Sequence, residues 1–269
     1  MGYYRRYLAI YLSVALAAGL LWAAAELVWD LPLLFSLPFF VLVVFLAAIF
    51  CSAAGMRRYQ KMNLRLLQTG DTRAFLQEIS ACEKAANRNT RNTILISKAY
   101  AYLLEGRWDA ASALLSGLDL ASCRQPRARQ NDRCAYSVRC AGLAINCDQY
   151  PAAEQHLAAL RREVAALKST DTLQVHYAKM LQDLDQMLAV RRGEAGGHAA
   201  YFRNQLEMAG DLVSRAGAAY YLARALLLEE GDREKALEYF DYTAAAVPRL
   251  AVGRDAAQRA AALRGALSG

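Results

Sequence analysis

Two stretches near the start of this chain run without a charged side chain for as long as a helix needs to cross a bilayer. Tyr7 to Ala25 is 19 residues, and Leu31 to Ala54 is 24, with no Asp, Glu, Lys or Arg in either. At ~1.5 Å per residue they reach roughly 28 and 36 Å, against a hydrocarbon core of about 30 Å. We therefore expect two membrane spans, at about residues 7–28 and 33–54, forming a transmembrane hairpin over residues 1–55. The alternative for the first run is a cleaved signal peptide, because Arg5 and Arg6 precede it and Ala23, Ala24 and Ala25 offer a small-residue cleavage site. Arg57, Arg58, Lys61 and Arg65 follow the second run, whereas the connection between the runs holds only Glu26 and Asp30. The positive-inside bias then places the N-terminus and everything after residue 55 on the cytoplasmic side of the cell membrane. Ser36 is expected to cap the second span, with Pro38 in its first turn. Trp22 and Trp29 suit the outer interface, and Ala15, Gly19 and Ala23 form a small-residue face for packing the first span on the second.

Residues 56–269 follow a different pattern. Three segments align by their turns: "YAYLLEGRWDAASALL" from Tyr100, "GLAINCDQYPAAEQHL" from Gly142 and "RALLLEEGDREKALEYF" from Arg224. In each, a helix is expected to end near Gly106, Asp148 or Gly231, and a second helix follows with a small residue at Ala111, Ala153 or Ala236. Four residues later comes Leu115, Leu157 or Phe240. A small residue lets the facing helix approach, and the bulky one a turn later fills the hollow beside it. Such a hairpin cannot bury its apolar face alone and must stack on copies of itself.

These residues resemble the tetratricopeptide repeat family. Gly231, Ala236, Phe240 and Pro248 match its turn glycine, second-helix alanine, aromatic and closing proline; Ala99, Tyr102, Gly106, Trp108 and Ala111 match in the first segment, and Ala141, Tyr150 and Ala153 in the middle one. The sequence departs from the family at Ala144, where a tyrosine is usual, at Arg224, where a small residue is usual, and in a period nearer 41 residues than the usual ~34. Two weaker hairpins are expected over 57–86, turning at 69–71, and over 172–209, turning at 193–197. Residues 87–92, 125–132 and 169–171 read as polar loops between hairpins. Val252 to Leu267 reads as a terminal helix that either caps the stack or folds back into its groove. The expected fold is all-α: the transmembrane hairpin, then a cytoplasmic α-solenoid of about five tetratricopeptide-like hairpins and a C-terminal capping helix.

Six cysteines include no CxxC pair, so buried free thiols are the expectation for Cys134, Cys140 and Cys147 rather than a metal site or disulfides. His156, His176 and His198 fall in different hairpins with no companion ligands, and the glycines around Glu194 lack the lysine and preceding strand of a phosphate loop. We expect no enzyme, cofactor or metal. Charge is more informative. From Arg57 to Arg139 there are 15 basic and 7 acidic residues, against 15 and 16 from Cys140 onward. The basic half adjoins the spans, which favours contact with anionic lipid, through Arg57, Arg58, Lys61, Arg65, Arg124, Arg127 and Arg129, over nucleic acid.

The resemblance implies a protein partner, of unknown identity, held on the concave face formed by the first helices. Its ligand-facing positions carry over to Ile96, Tyr100 and Leu103 in one repeat and to Tyr221 and Leu228 in the last, a mostly apolar set without the clamp for a terminal carboxylate. The expected function is a membrane-anchored adaptor or scaffold that binds a peptide or helix of that partner. A permanent structural subunit of a membrane complex is the alternative.

Overall fold

The computed structural model describes residues 5–29, 33–168 and 170–267, which form twelve helices and no strand. The side chains of Arg5, Arg6, Glu26, Trp29 and Ser36, and Asp30 altogether, lie outside what is described, so the expectations placed on them stand there. The first helix, α1 (Arg5–Trp29), and α2 (Leu33–Thr69) form an antiparallel pair, with Tyr7 against Gly55 at one end and the Trp22 and Phe40 rings stacked 5.5 Å apart at the other. Both helices are long and apolar enough to cross a membrane, over Tyr7–Ala25 and Phe40–Thr69. Most of their apolar side chains point away from protein, Leu27 being 88% exposed and Phe50 73%. Two details differ from expectation. Helix α2 is described from Leu33, so Pro38 lies inside it, beyond its first turn. It also runs without a break through residues 55 and 56, so the apolar segment and the first helix of the polar region are one rod of 37 residues.

Ten further helices follow: α3 (Thr72–Ala85), α4 (Arg91–Glu105), α5 (Trp108–Ser116), α6 (Pro126–Asn146), α7 (Tyr150–Ala165), α8 (Thr172–Arg192), α9 (His198–Met208), α10 (Leu212–Glu229), α11 (Arg233–Ala246) and α12 (Ala251–Leu267). Local chemistry sets many of their ends. Asp71, Asp171, Asp211 and Asp232 each accept a backbone N–H of the turn they precede, as N-caps do. The turns joining α2 to α3, α4 to α5, α6 to α7, α8 to α9 and α10 to α11 each contain a left-handed residue: Gly70, Gly106, Asp148, Gly193 and Gly231. Five turns of one construction, four of them on glycine, are why the turns were legible. The loop expected at 125–132 is corrected. Pro126 occupies the first turn of α6, where its missing N–H costs nothing, and the helix runs on from there. Asp132, at the end of that stretch, is 0% exposed.

The alanines behave as close-approach points. Ala111, Ala153 and Ala236 are each 0% exposed, and Leu115, Leu157 and Phe240 beside them are buried. Helices α8 and α9 pair through longer side chains: His198, Tyr201 and Lys179 reach Gln186, Asp183 and Gln205, each step along one helix matching the reverse step on the other. The Glu229 carboxylate, at the end of α10, accepts the N–H groups of Gly196, His198 and Ala199 and so fastens α9 to α10.

The first helix of each pair packs on the next: α2 on α4 through Tyr59, Met62 and Ile94, then α4 on α6, α6 on α8, and α8 on α10. The circuit then closes with an offset. The end of α2 and of α4, at Leu67 and Leu104, shares a core with Leu212, Val213 and Ala216 at the start of α10 and with Val247 and Leu250 at the α11–α12 corner. Arg254 Nη2 donates to the Glu105 carbonyl at 2.6 Å, 149 residues away in sequence. Helix α12 lies along α11 and also touches α10 and α4. Its Gly253 is the tightest point, since a Cβ there would lie 2.0 Å from the Val247 carbonyl oxygen.

Candidate functional site

The first helices meet along an inner wall, and its end nearest the α1–α2 pair is a string of polar contacts, one step per helix. On α2 the Tyr59 hydroxyl lies 2.5 Å from Ser97 Oγ and donates to the Thr93 carbonyl of α4. Thr93 Oγ1 in turn donates to Asp132 Oδ1 on α6 at 2.7 Å. Beside Asp132, Asn131 accepts the Tyr177 hydroxyl of α8 at 2.9 Å. Asp132 Oδ2 has no partner. Burial pushes this carboxyl up to about 6, with the Thr93 hydrogen bond pulling the other way.

Two turns further along α6 is Arg139. Its guanidinium carbon, Cζ, lies over the Tyr100 ring of α4, 3.7 Å from the centroid. Its Nε is screened from solvent and meets no acceptor, and among the described residues no carboxylate pairs with it. Burial pulls the Arg139 pKa down, opposed by the hydroxyls of Tyr100, Tyr177 and Tyr59. Burial and then the Arg139 charge also lower that of His176, which stands edge-on to Tyr177. Three residues beyond Arg139, Gly142 faces open space: a Cβ placed there would meet nothing within 4 Å. The wall therefore holds an unpaired cation among aromatic rings with room beside it. An enclosed guanidinium without a counter-charge is costly, and an incoming anion would relieve that cost.

The other cations of the wall are already engaged. Arg191 binds Asp148 at 2.9 Å and the Asn146 carbonyl, and Arg224 lies over Tyr220. The Tyr220 hydroxyl donates to Asp255 on α12, which Arg259 also holds at 2.7 Å. Burial would raise the Asp255 pKa, but these two donors outweigh it and the carboxyl ends below its ordinary range. On the outside, a groove of about 460 Å³ between α7 and α8 is crossed by the ion pairs Arg161–Asp185 and Arg192–Glu154, so its charges satisfy each other.

The sequence-derived groove residues fall differently from expectation. Ile96, Leu103 and Tyr221 are 3%, 8% and 6% exposed and sit in the packing between helices, with Tyr221 stacked on Phe202. Only Tyr100 and Leu228 keep partial access. The open apolar groove is thus corrected to an aromatic and cationic wall, because the first helices pack against one another and use their apolar faces to do so. Asp132 and Arg139 were missed as wall residues. Their spacing of seven puts them on one face of α6, which was the available signal. The basic residues expected near the membrane are exposed on α2 at Arg57, Arg58, Lys61 and Arg65, in the α5–α6 loop at Arg124 and at the start of α6 at Arg127, with Arg129 half-buried. None of the six cysteines is in a disulfide, and five are buried; burial pushes the thiols of Cys134 and Cys140 up to about 11, far from a reactive range.

No family model, no curated protein and no solved structure matches this chain.

Proposed function

We propose that the protein is a membrane-anchored scaffold. In this reading α1 and α2 cross the bilayer, the remaining helices form a tetratricopeptide-like array in the cytoplasm, and its inner wall receives an acidic segment of a protein partner. The observation that carries the reading is Arg139: a mostly enclosed arginine, stacked on Tyr100, unpaired, with open space at Gly142 beside it. A carboxylate from a partner would complete that site with charge-assisted hydrogen bonds, and the tyrosines would supply apolar contact around it. The two apolar helices and the uneven basic charge support the membrane placement.

The test is a photo-crosslinking residue at Gly142 in the full chain, in intact cells, with Arg139→Gln as the comparison. The reading expects a crosslinked protein whose contacting segment is acidic and whose yield falls at least about tenfold with Arg139→Gln, in keeping with loss of an enclosed charge pair. Crosslinks of equal yield in both chains would end it. A companion chain that co-purifies in mild detergent at equal amounts and never exchanges would favour the permanent structural subunit instead.

A further inference from the structure

We propose that the loops at the membrane-facing end of the helical region form a basic seat for anionic lipid headgroups, so that this region rests on the bilayer instead of hanging from α2 alone.

Helix α2 fixes which end faces the bilayer. The ring of Tyr7, in the first turns of α1, packs over Gly55, where an added Cβ would lie 3.5 Å from it, so the apolar pair ends at about that level of α2. One turn further on, Tyr59 reaches Thr93 and Ser97, which sets the start of α4 close to the same level. The helices alternate in direction from there. The α3–α4 loop, the α5–α6 loop and the α7–α8 loop therefore share the membrane-facing end.

Hydrogen bonds and an ion pair join these loops side by side. Asn89 Oδ1 accepts the Arg124 N–H at 3.1 Å, Asn92 donates to the Asp119 carbonyl at 2.8 Å, and Arg127 pairs with Asp171 at 2.9 Å. The result is one continuous surface, on which Arg88, Arg91, Arg124 and Lys168 are all exposed. The acidic groups nearby are mostly committed elsewhere. Glu83 holds Lys98, Glu78 faces Arg58, Asp171 holds Arg127, and Asp119 accepts the Ala121 N–H. Arg57 on α2 adds to the same edge. Lys61 and Arg65 point from α2 at levels about 6 and 12 Å deeper, by the ~1.5 Å rise per residue, and do not belong to it.

Anionic lipid is the occupant that this geometry fits. The surface borders the two helices that enter the bilayer, and tethering holds it within a Debye length of the headgroups, where each basic side chain gains from a negative leaflet. Phosphate and carboxylate headgroups are acceptors that arginine binds in pairs.

The proposal rests on α1 and α2 crossing the membrane, and the experiment separates the two ideas. The full chain, carrying a fluorescent amino acid at Ala121, is reconstituted in nanodiscs whose headgroups bear a nitroxide quencher. One set is neutral phosphatidylcholine and the other contains roughly one-third phosphatidylserine, a leaflet of strongly negative potential. Quenching in the anionic discs should exceed that in the neutral discs by at least about threefold and fall toward the neutral level near ~1 M salt, where screening reaches about 3 Å. Arg88→Glu with Arg91→Glu and Arg124→Glu should abolish the excess, while Lys61→Glu with Arg65→Glu should leave it, both with unchanged helical circular dichroism. Equal quenching in the two discs, or loss of the excess with the Lys61 and Arg65 pair alone, overturns the lipid seat and leaves the anchor standing. A chain that stays outside the discs overturns both. Displacement from anionic discs by single-stranded nucleic acid at low stoichiometry would assign the surface to that polymer instead.

Discussion

Asp132→Asn tests the buried end of the inner wall. The Asp132 carboxyl is 0% exposed, has one partner at Oδ1 and none at Oδ2, and has its pKa raised from 3.8 to about 6. A carboxyl whose folded pKa is raised favours the fold fully below its unfolded pKa, and that contribution is lost as pH rises through the folded value. At ~1.36 kcal/mol per pH unit, the wild type gives up roughly 3 kcal/mol at neutral pH relative to pH 3. About half of that is already lost at pH 5, so the remaining change between pH 5 and pH 7.5 is roughly 1 to 2 kcal/mol. Asparagine cannot ionise, and whatever it costs in geometry against Thr93 is the same at both pH values. The variant should therefore gain about 1 to 2 kcal/mol on the wild type between pH 5 and pH 7.5. The measurement is urea unfolding of the full chain in a non-ionic detergent, followed by the fluorescence of Trp108. The other two tryptophans, Trp22 and Trp29, lie in α1 and should stay in the micelle. A difference between the chains that is flat in pH, or that shrinks as pH rises, would refute the buried, singly bonded carboxyl.

Other perturbations probe the packing. Gly253→Ala should displace the start of α12, because its Cβ would lie 2.0 Å from the Val247 oxygen and 2.7 Å from its carbon, both backbone atoms. The expected loss is more than about 3 kcal/mol, beyond ordinary overpacking, and hydrogen exchange should show α12 opening first; unchanged protection would refute it. Ala111→Leu and Ala236→Leu, at fully buried contacts, should each cost about 1–3 kcal/mol in the same unfolding assay. Unchanged unfolding of both would remove the close-approach argument. Glu229→Gln should cost about 1–3 kcal/mol by weakening the clamp on three N–H groups at the start of α9. Faster exchange confined to 196–199 is the expected signature, and no change there would count against the clamp.

What the amino acids determined by themselves was local. Uninterrupted apolar length marked α1 and the first part of α2, because span length and charge content are properties of a short stretch read alone. Gly70, Gly106, Asp148, Gly193 and Gly231 marked the five turns, since left-handed backbone leaves its trace in residue type. Ala111, Ala153 and Ala236 marked close helix contacts through their period. Where local signals conflicted, the reading failed: the polar stretch at 125–132 looked like a loop, yet Pro126 begins a helix whose Asp132 is drawn inside by Thr93.

Tertiary structure alone decided which faces are covered. Ile96, Leu103 and Tyr221 were placed on a concave face by the tetratricopeptide resemblance, whose first helices line that face. Successive first helices cover one another, and the face that remains is Tyr100 with Arg139. The lack of a counter-charge at Arg139 depends on every neighbour at once, so no window of sequence contains it. The closure of the circuit is of the same kind. Arg254 meets the Glu105 carbonyl across 149 residues, and Gly253 is required by the Val247 carbonyl that this corner brings beneath it. Spacing along a chain reports which residues share a helix face, whereas the sum of small rotations between helix pairs fixes what that face meets, and that sum is settled only when the whole chain has packed.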